Sequence, residues 1–236
     1  MSPKTIKKYD WNSPKLYKNY ERKNKVKNLP YFVLENVLST NDVDAITSIL
    51  DNYESSTTTR NSNYDFAARA HHNDPKIRYI LINCTESDMS SDVENITTFI
   101  PEFKVYDDVI IEKCLDANEK IWNLNIDSMI TTLYKVYDTG SEIQWHPDGP
   151  FGVNAIIPDD LRWRKLSATV ALNDEEYEGG HFQIMDSSYS QDIVTDIKLS
   201  KGSILLYPAF MKHRICPVNS GKRRSLIYWF CGPRWI

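Results

Sequence analysis

The chain has 236 residues, 41% of them hydrophobic and 25% charged, with a formal net charge of −4. This composition excludes pervasive disorder and allows a packed core, and the length suits one large domain. No apolar run approaches the ~18 residues of a membrane span, and the charged N-terminus lacks the apolar stretch of a secretory signal.

Residues 1–30 form a basic, proline-punctuated segment. Within it Lys4, Lys7, Lys8, Lys15, Lys18, Arg22, Lys23, Lys25 and Lys27 face only Asp10 and Glu21. Such an arm can meet nucleic acid or an acidic partner, or can simply be solvated. Tyr31 to Leu34 reads as a short strand. Ser39-Thr40 then offers an N-cap, and Val43, Ile46, Ile49 and Leu50 recur at helical spacing, which predicts a helix over 41–53. Residues 54–75 read as a polar loop, Ile77 to Asn83 as a strand, and 84–105 as an unpatterned connection. Asp107 or Asp108 is the expected cap of a second helix at about 108–122, with Ile110, Cys114, Ala117 and Ile121 on one stripe.

Beyond residue 128 the pattern changes to strands. Met129 to Tyr137, Lys165 to Leu172, Gly180 to Met185, Ile193 to Leu199, Ser203 to Tyr207, His213 to Val218 and Arg223 to Phe230 are rich in β-branched and aromatic residues. Turn signals separate them, among them Gly179-Gly180, Lys201-Gly202 and Asn219-Ser220-Gly221-Lys222. Short strands at this spacing predict a barrel or jelly roll with the two helices outside it. The four cysteines, Cys84, Cys114, Cys216 and Cys231, contain no C-x-x-C pair and suggest no disulfide framework. A reducing, cytoplasmic setting is expected.

The chain has five histidines. His71 and His72 fall in a polar loop, while His146, His181 and His213 fall in the strand-rich half. His146-Pro147-Asp148 is the central feature, because residues i and i+2 of an extended segment point to one side. A neutral nitrogen and an anionic oxygen can therefore converge on one metal. The third ligand must come from elsewhere, and His213 is the best candidate. Two histidines and one carboxylate form the ligand set of non-haem Fe(II) oxygenases. Taken alone, H-x-D is a weak signal that occurs by chance in many chains, and between turn formers it reads first as a surface turn.

Arg223, ten residues after His213, should begin the next strand near the metal strand. A buried carboxylate needs a charged partner, and a guanidinium matches it bidentately. The distal carboxylate of a metal-chelating 2-oxoglutarate would be such a group. Ser225 shares the face of Arg223 and could add a hydroxyl. Arg224 points the other way, toward solvent or an ion pair.

The order of these motifs resembles the Fe(II)/2-oxoglutarate dioxygenases, in particular their prolyl 4-hydroxylase-like branch with its PKHD-type and phage-encoded members. The matching stretch runs from about Ala117 to Trp229. It holds Tyr137-Asp-Thr-Gly140, Trp145-His-Pro-Asp-Gly149, Arg164-Lys-Leu-Ser167, Tyr177-Glu-Gly-Gly180, Leu206-Tyr-Pro208, His213-Arg-Ile-Cys-Pro-Val218 and Gly221-Lys-Arg223. Where many relatives have Gly-Gly-Glu, this chain has Gly179-Gly180-His181, and His181 is expected to be no ligand.

The resemblance implies an α+β, mainly β fold: a double-stranded β-helix, or distorted jelly roll, with supporting N-terminal helices. A single catalytic domain would then span 31–236, with its core at about 128–232. It implies His146, Asp148 and His213 as ligands of Fe(II), Arg223 as the anchor of 2-oxoglutarate, and Tyr137 as a further contact of that cosubstrate. O2 would be the second cosubstrate, and ascorbate a candidate reductant. The implied reaction is hydroxylation of a C–H bond, with a prolyl or other peptidyl residue as the first substrate class. Hydroxylation or demethylation of nucleic acid, a small-molecule substrate, and a metal-binding jelly roll without catalysis are the alternatives. Pro150 to Trp163 reads as a loop able to close over a substrate.

Overall fold

The computed structural model describes residues 29–56, 76–83, 98–129, 132–149, 163–173, 176–187 and 192–233. Residues 1–28 of the basic segment, both loop histidines and all but Trp163 of the expected closing loop lie outside these.

Strand β1 (Phe32–Leu34) leads into helix α1 (Thr40–Ser56). Its start is a reciprocal cap. The Asp42 amide donates to Ser39 Oγ at 3.2 Å, and the Ser39 amide donates to Asp42 Oδ2 at 3.0 Å. Strand β2 (Ile77–Asn83) has the bounds its alternation predicts. The expected connection at 84–105 contains, within its described part, strand β3 (Thr98–Phe99), a short 3-10 turn and the start of helix α2 (Lys104–Ile121).

Helix α2 thus begins about a turn earlier than expected, and neither Asp107 nor Asp108 caps it. Asp107 is buried inside the helix, where Thr132 Oγ1 and Tyr228 OH each donate to its Oδ1 at 2.9 Å. A cap-like carboxylate is instead a tertiary partner of the sheet, which no local signal reveals. Asn123, at φ 51°, closes α2 in the left-handed conformation, and the Asn118 side chain bonds both the amide and the carbonyl of Leu124.

The remaining strands are β4 (Ser128–Met129), β5 (Thr132–Tyr137), β6 (Ile143–His146), β7 (Trp163–Ala171), β8 (Tyr177–Gly179), β9 (Phe182–Asp186), β10 (Ile193–Ile197), β11 (Ile204–Pro208), β12 (Lys212–Ile215), β13 (Val218–Gly221) and β14 (Arg223–Gly232). They form an eight-stranded sheet in the order β1-β11-β7-β14-β5-β2-β3, with β4 also on β14. A four-stranded sheet runs β10-β9-β12-β6, and β13 pairs β8. The expected strand His213 to Val218 is two strands. The expected turn Asn219–Lys222 is mostly strand β13, because pairing with Tyr177–Gly179 supplies its backbone partners.

Two large cores follow from the alternation, beside a small cluster of Leu133, Ile227 and Trp229. On the outer face of the large sheet, Tyr134, Val136, Leu166, Val170, Leu206 and Leu226 pack against Val43, Ile46 and Leu50 of α1 and Ile110 and Cys114 of α2. Between the sheets, Tyr137, Leu205 and Tyr207 meet Ile143, Phe182, Ile184 and Ile215. Both faces of the central strands are buried, so Lys135, Ser167, Thr169 and Ser225 lie inside along with the apolar residues. Removing a fully buried side chain such as Ile110 or Leu206 costs about 2–5 kcal/mol. The double-layered, mainly β architecture is the expected jelly roll with helices on one flank.

Candidate metal centre

The antiparallel pairing of β6 with β12 sets His213 directly opposite His146. Their rings stand 4.3 Å apart between centroids. Asp148 follows β6 by two residues, and its segment is tied down where the Gly149 amide donates to the Ala209 carbonyl at 2.8 Å. Three side chains from distant sequence positions thereby converge. Their ligand atoms all lie within 4.8 Å of one another, a cluster able to hold a metal ion.

The imidazoles are pre-oriented. His146 Nδ1 lies 2.7 Å from the Gln144 carbonyl oxygen, and His213 Nδ1 lies 3.0 Å from that of Met211. A carbonyl can only accept, so each Nδ1 carries the proton and each Nε2 presents a lone pair. The two Nε2 atoms stand 3.8 and 3.6 Å from the Asp148 carboxylate, too far for hydrogen bonds.

Charge states agree with this arrangement. Burial, then the neighbouring His213, push the His146 pKa down to about 4, so its ring is neutral at neutral pH. Burial works to raise the Asp148 carboxyl, but the neighbouring His213, His146 and Arg164 hold it at about 2. Two imidazole nitrogens and one anionic oxygen suit a divalent ion such as Fe(II).

Around the triad, Phe182 stacks on His213 at 5.2 Å with its ring plane 6° away. Tyr207 OH donates to Asp148 Oδ2 at 3.2 Å and lies 3.3 Å from His213 Nε2. Arg164 lies 4.0 Å over the Trp229 ring and donates to the Asp148 carbonyl at 3.2 Å. The Trp229 indole N–H is buried with no acceptor among the described residues.

A second group lines the space between the sheets. Arg223 opens β14 opposite Tyr137 of β5 and is only 4% exposed. Its guanidinium lies 5.0 Å over the Tyr137 ring and donates to Ser225 Oγ at 3.1 Å. Among the described residues no carboxylate pairs with it. Gly180, at φ 56°, lets the chain press against the Arg223 stem, where a Cβ would come within 3.2 Å of Cδ.

The structure therefore brings His146, Asp148 and His213 together, and Arg223, Tyr137 and Ser225 together. Arg224 faces outward, paired with Asp51 at 3.1 Å and Glu176 at 3.3 Å. His181 stands apart from the triad, 3.4 Å from Asp196. Sequence reasoning missed Tyr207 as a neighbour of the triad. It also missed Lys135, a buried lysine that its place on an interior-facing strand position could have flagged. No helix among the described residues is long and apolar enough to cross a membrane.

Residues 132–231 match the family model described as the 2OG-Fe(II) oxygenase superfamily. A PKHD-type hydroxylase of Shewanella baltica is 39% identical over 100 residues, 41% of this chain and 41% of its own length. One from Methylobacterium nodulans is 35% identical over 103 residues, 43% of each. The chain spans about two fifths of the length of these curated relatives. Among solved structures, a prolyl-4-hydroxylase of Pseudomonas putida has a TM-score of 0.57 at 15% identity, covering 87% of this chain and 94% of that one. A viral collagen prolyl hydroxylase of Paramecium bursaria Chlorella virus-1, in complex with 2OG, has a TM-score of 0.56 at 17% identity, covering 89% and 100%. These neighbours share the fold. The family resemblance read from the motifs is borne out over this stretch.

Proposed function

We propose, from the similarity of residues 132–231 to the 2OG-Fe(II) oxygenase superfamily, that this chain is an Fe(II)- and 2-oxoglutarate-dependent dioxygenase. It hydroxylates a C–H bond of a prolyl or other peptidyl residue, and 2-oxoglutarate leaves as succinate and CO2. The catalytic unit is a single domain over 31–236 with its core at 128–232, and residues 1–30 lie outside it. The observation that carries the reading is the convergence of two Nε2 lone pairs and one carboxylate beside a buried arginine that no described carboxylate neutralises.

In this reading His146, Asp148 and His213 hold Fe(II). The metal supplies the activation of O2 that no side chain can perform. The chain's own residues do the rest. The Gln144 and Met211 carbonyls hold both imidazoles in the ligating tautomer. Tyr207 steadies the Asp148 carboxylate. Arg223, flanked by Tyr137 and Ser225 and only 4% exposed, would receive the distal carboxylate of 2-oxoglutarate. No side chain needs to shuttle a proton.

The peptidyl substrate is supported by the relatives named PKHD-type hydroxylases and by the prolyl hydroxylases among the fold neighbours. One of these, from Trichoplax adhaerens, is in complex with a peptide fragment of the hypoxia inducible factor. Among the described residues Cys114 and Cys216 form no disulfide, which supports a reducing, cytoplasmic setting. The test is succinate formation from 2-oxoglutarate with Fe(II) and proline-containing peptides, read together with a mass gain of one oxygen on the peptide. Iron-dependent succinate without peptide oxidation would move the substrate elsewhere; no succinate under any condition would defeat the reading.

A further inference from the structure

Arg223 lies where its strand loses one neighbour. The ladder between β14 and β7 ends at Ser225 and Ala171, while the ladder to β5 continues to the Arg223–Tyr137 pair. Just past the end of β7, the Leu172 amide still donates to the Arg224 carbonyl at 3.2 Å. Beyond that a side chain takes the place of a strand. Asn173, only 3% exposed, donates through Nδ2 to the Lys222 carbonyl at 2.6 Å. Its Oδ1 accepts from the Arg224 amide at 2.8 Å. Nδ2 also donates to Glu176 Oε2 at 3.1 Å.

A carbonyl only accepts and an amide N–H only donates, so these backbone partners fix which end of the Asn173 amide is which. The two groups it holds bracket a single residue. The Lys222 carbonyl belongs to the peptide plane before the Arg223 Cα, and the Arg224 amide belongs to the plane after it. Those two planes set φ and ψ of Arg223, and with them the direction in which its side chain leaves the backbone. Glu176, the third partner, also pairs with the Arg224 guanidinium at 3.3 Å, so Asn173 is tied to the same stretch of β14 a second time. Between the two gripped peptides, Arg223 projects inward over Tyr137 and reaches Ser225.

We propose that Asn173 is a positioning residue for Arg223, whose side-chain amide clamps both flanking peptides and so aims the guanidinium into the space between the sheets. This rests on the functional reading above and deepens it. Asn173 contacts neither metal nor cosubstrate and acts only through the arginine. A long side chain magnifies any tilt at its root, and a binding group misplaced by about 1 Å loses much of its effect.

The experiment measures equilibrium binding by calorimetry, with Mn(II) in place of Fe(II) so that no turnover occurs. The ligands are 2-oxoglutarate and 2-oxopentanoate, which has the same carbon chain without the distal carboxylate. Asn173→Ala should weaken 2-oxoglutarate on the order of tenfold, the scale of two lost neutral hydrogen bonds, and leave 2-oxopentanoate and Mn(II) within about twofold. Added to Arg223→Met, the same change should cost less than about twofold more, because residues acting as one unit are not additive. Asn173→Asp keeps the acceptor for the Arg224 amide and loses the donor to Lys222, so it should fall between. Unchanged 2-oxoglutarate binding in Asn173→Ala, an equal loss for both acids, or the full loss again in the absence of Arg223 would overturn the proposal. Should Asn173→Ala not fold, Asn173→Asp is read by the same comparisons. If the unsubstituted protein binds Mn(II) but not 2-oxoglutarate, the functional reading itself fails, an outcome distinct from loss confined to the variants.

Discussion

His213 faces His146 across the β6–β12 ladder as its direct register partner, although 67 positions separate them in the chain. That pairing fixes the separation of the two imidazoles, and the Gln144 and Met211 carbonyls fix their rotation. The centre is therefore organised by backbone as much as by side chains. Its consequences can be measured.

Asp148→Ala removes the one anion of the triad, and His146→Ala removes one of two nitrogens. Either change should weaken Fe(II) or Mn(II) binding by at least about a hundredfold, since the remaining pair cannot enclose an ion. Metal titration with thermal melting as a fold control checks this. Near-native metal affinity in either variant would remove the triad from the assignment.

Arg223→Met deletes the buried guanidinium that Tyr137 and Ser225 surround. Metal binding should persist, while the apparent KM for 2-oxoglutarate should rise on the order of a hundredfold, the scale of a lost charged pair in a buried site. An unchanged KM would place the anchor elsewhere. Ser225→Ala should show a smaller shift in the same direction.

Tyr207→Phe removes a single hydroxyl from the neighbourhood of the Asp148 carboxylate and the His213 Nε2. The ring keeps its packing on Phe182, so folding should hold. Loss of an outer hydrogen bond to a ligand typically weakens a metal by about tenfold. Metal affinity measured beside the melting temperature separates this from a packing defect, which would move the melting temperature instead.

Asp107 offers a test of stability against pH. Burial raises its folded pKa to about 6 from the 3.8 of an ordinary aspartate, although Tyr228 and Thr132 donate to it. Between those values the folded state holds the proton that the unfolded chain has released, so stability falls as pH rises through the interval. Above pH 6 the charged form carries a constant penalty of about 3 kcal/mol. Asp107→Asn keeps an acceptor for both donors and removes the charge. It should raise Tm by roughly 3–8 °C at pH 7.5 and by little at pH 4. Equal effects at the two pH values would show that the carboxyl is not neutralised by burial.

The sequence by itself determined what repeats locally. Apolar spacing in α1 and α2, alternation in β2 and β5, and the punctuation by Gly179-Gly180 and Lys201-Gly202 are consequences of fixed periods and of backbone freedom, and they are legible without coordinates. The same holds for the pairing of His146 with Asp148, since i and i+2 share a side of an extended chain. What only the tertiary structure decided depends on contacts between distant segments. Asp107 looks like a helix cap and is a buried partner of Tyr228; Asn219 to Gly221 looks like a turn and pairs with β8. The position of Tyr207 beside Asp148, and of Lys135 beside the Arg223 group, follows from strand register across the sheets. Register is set by the summed burial of two faces at once, a long-range quantity that no short window of residues contains.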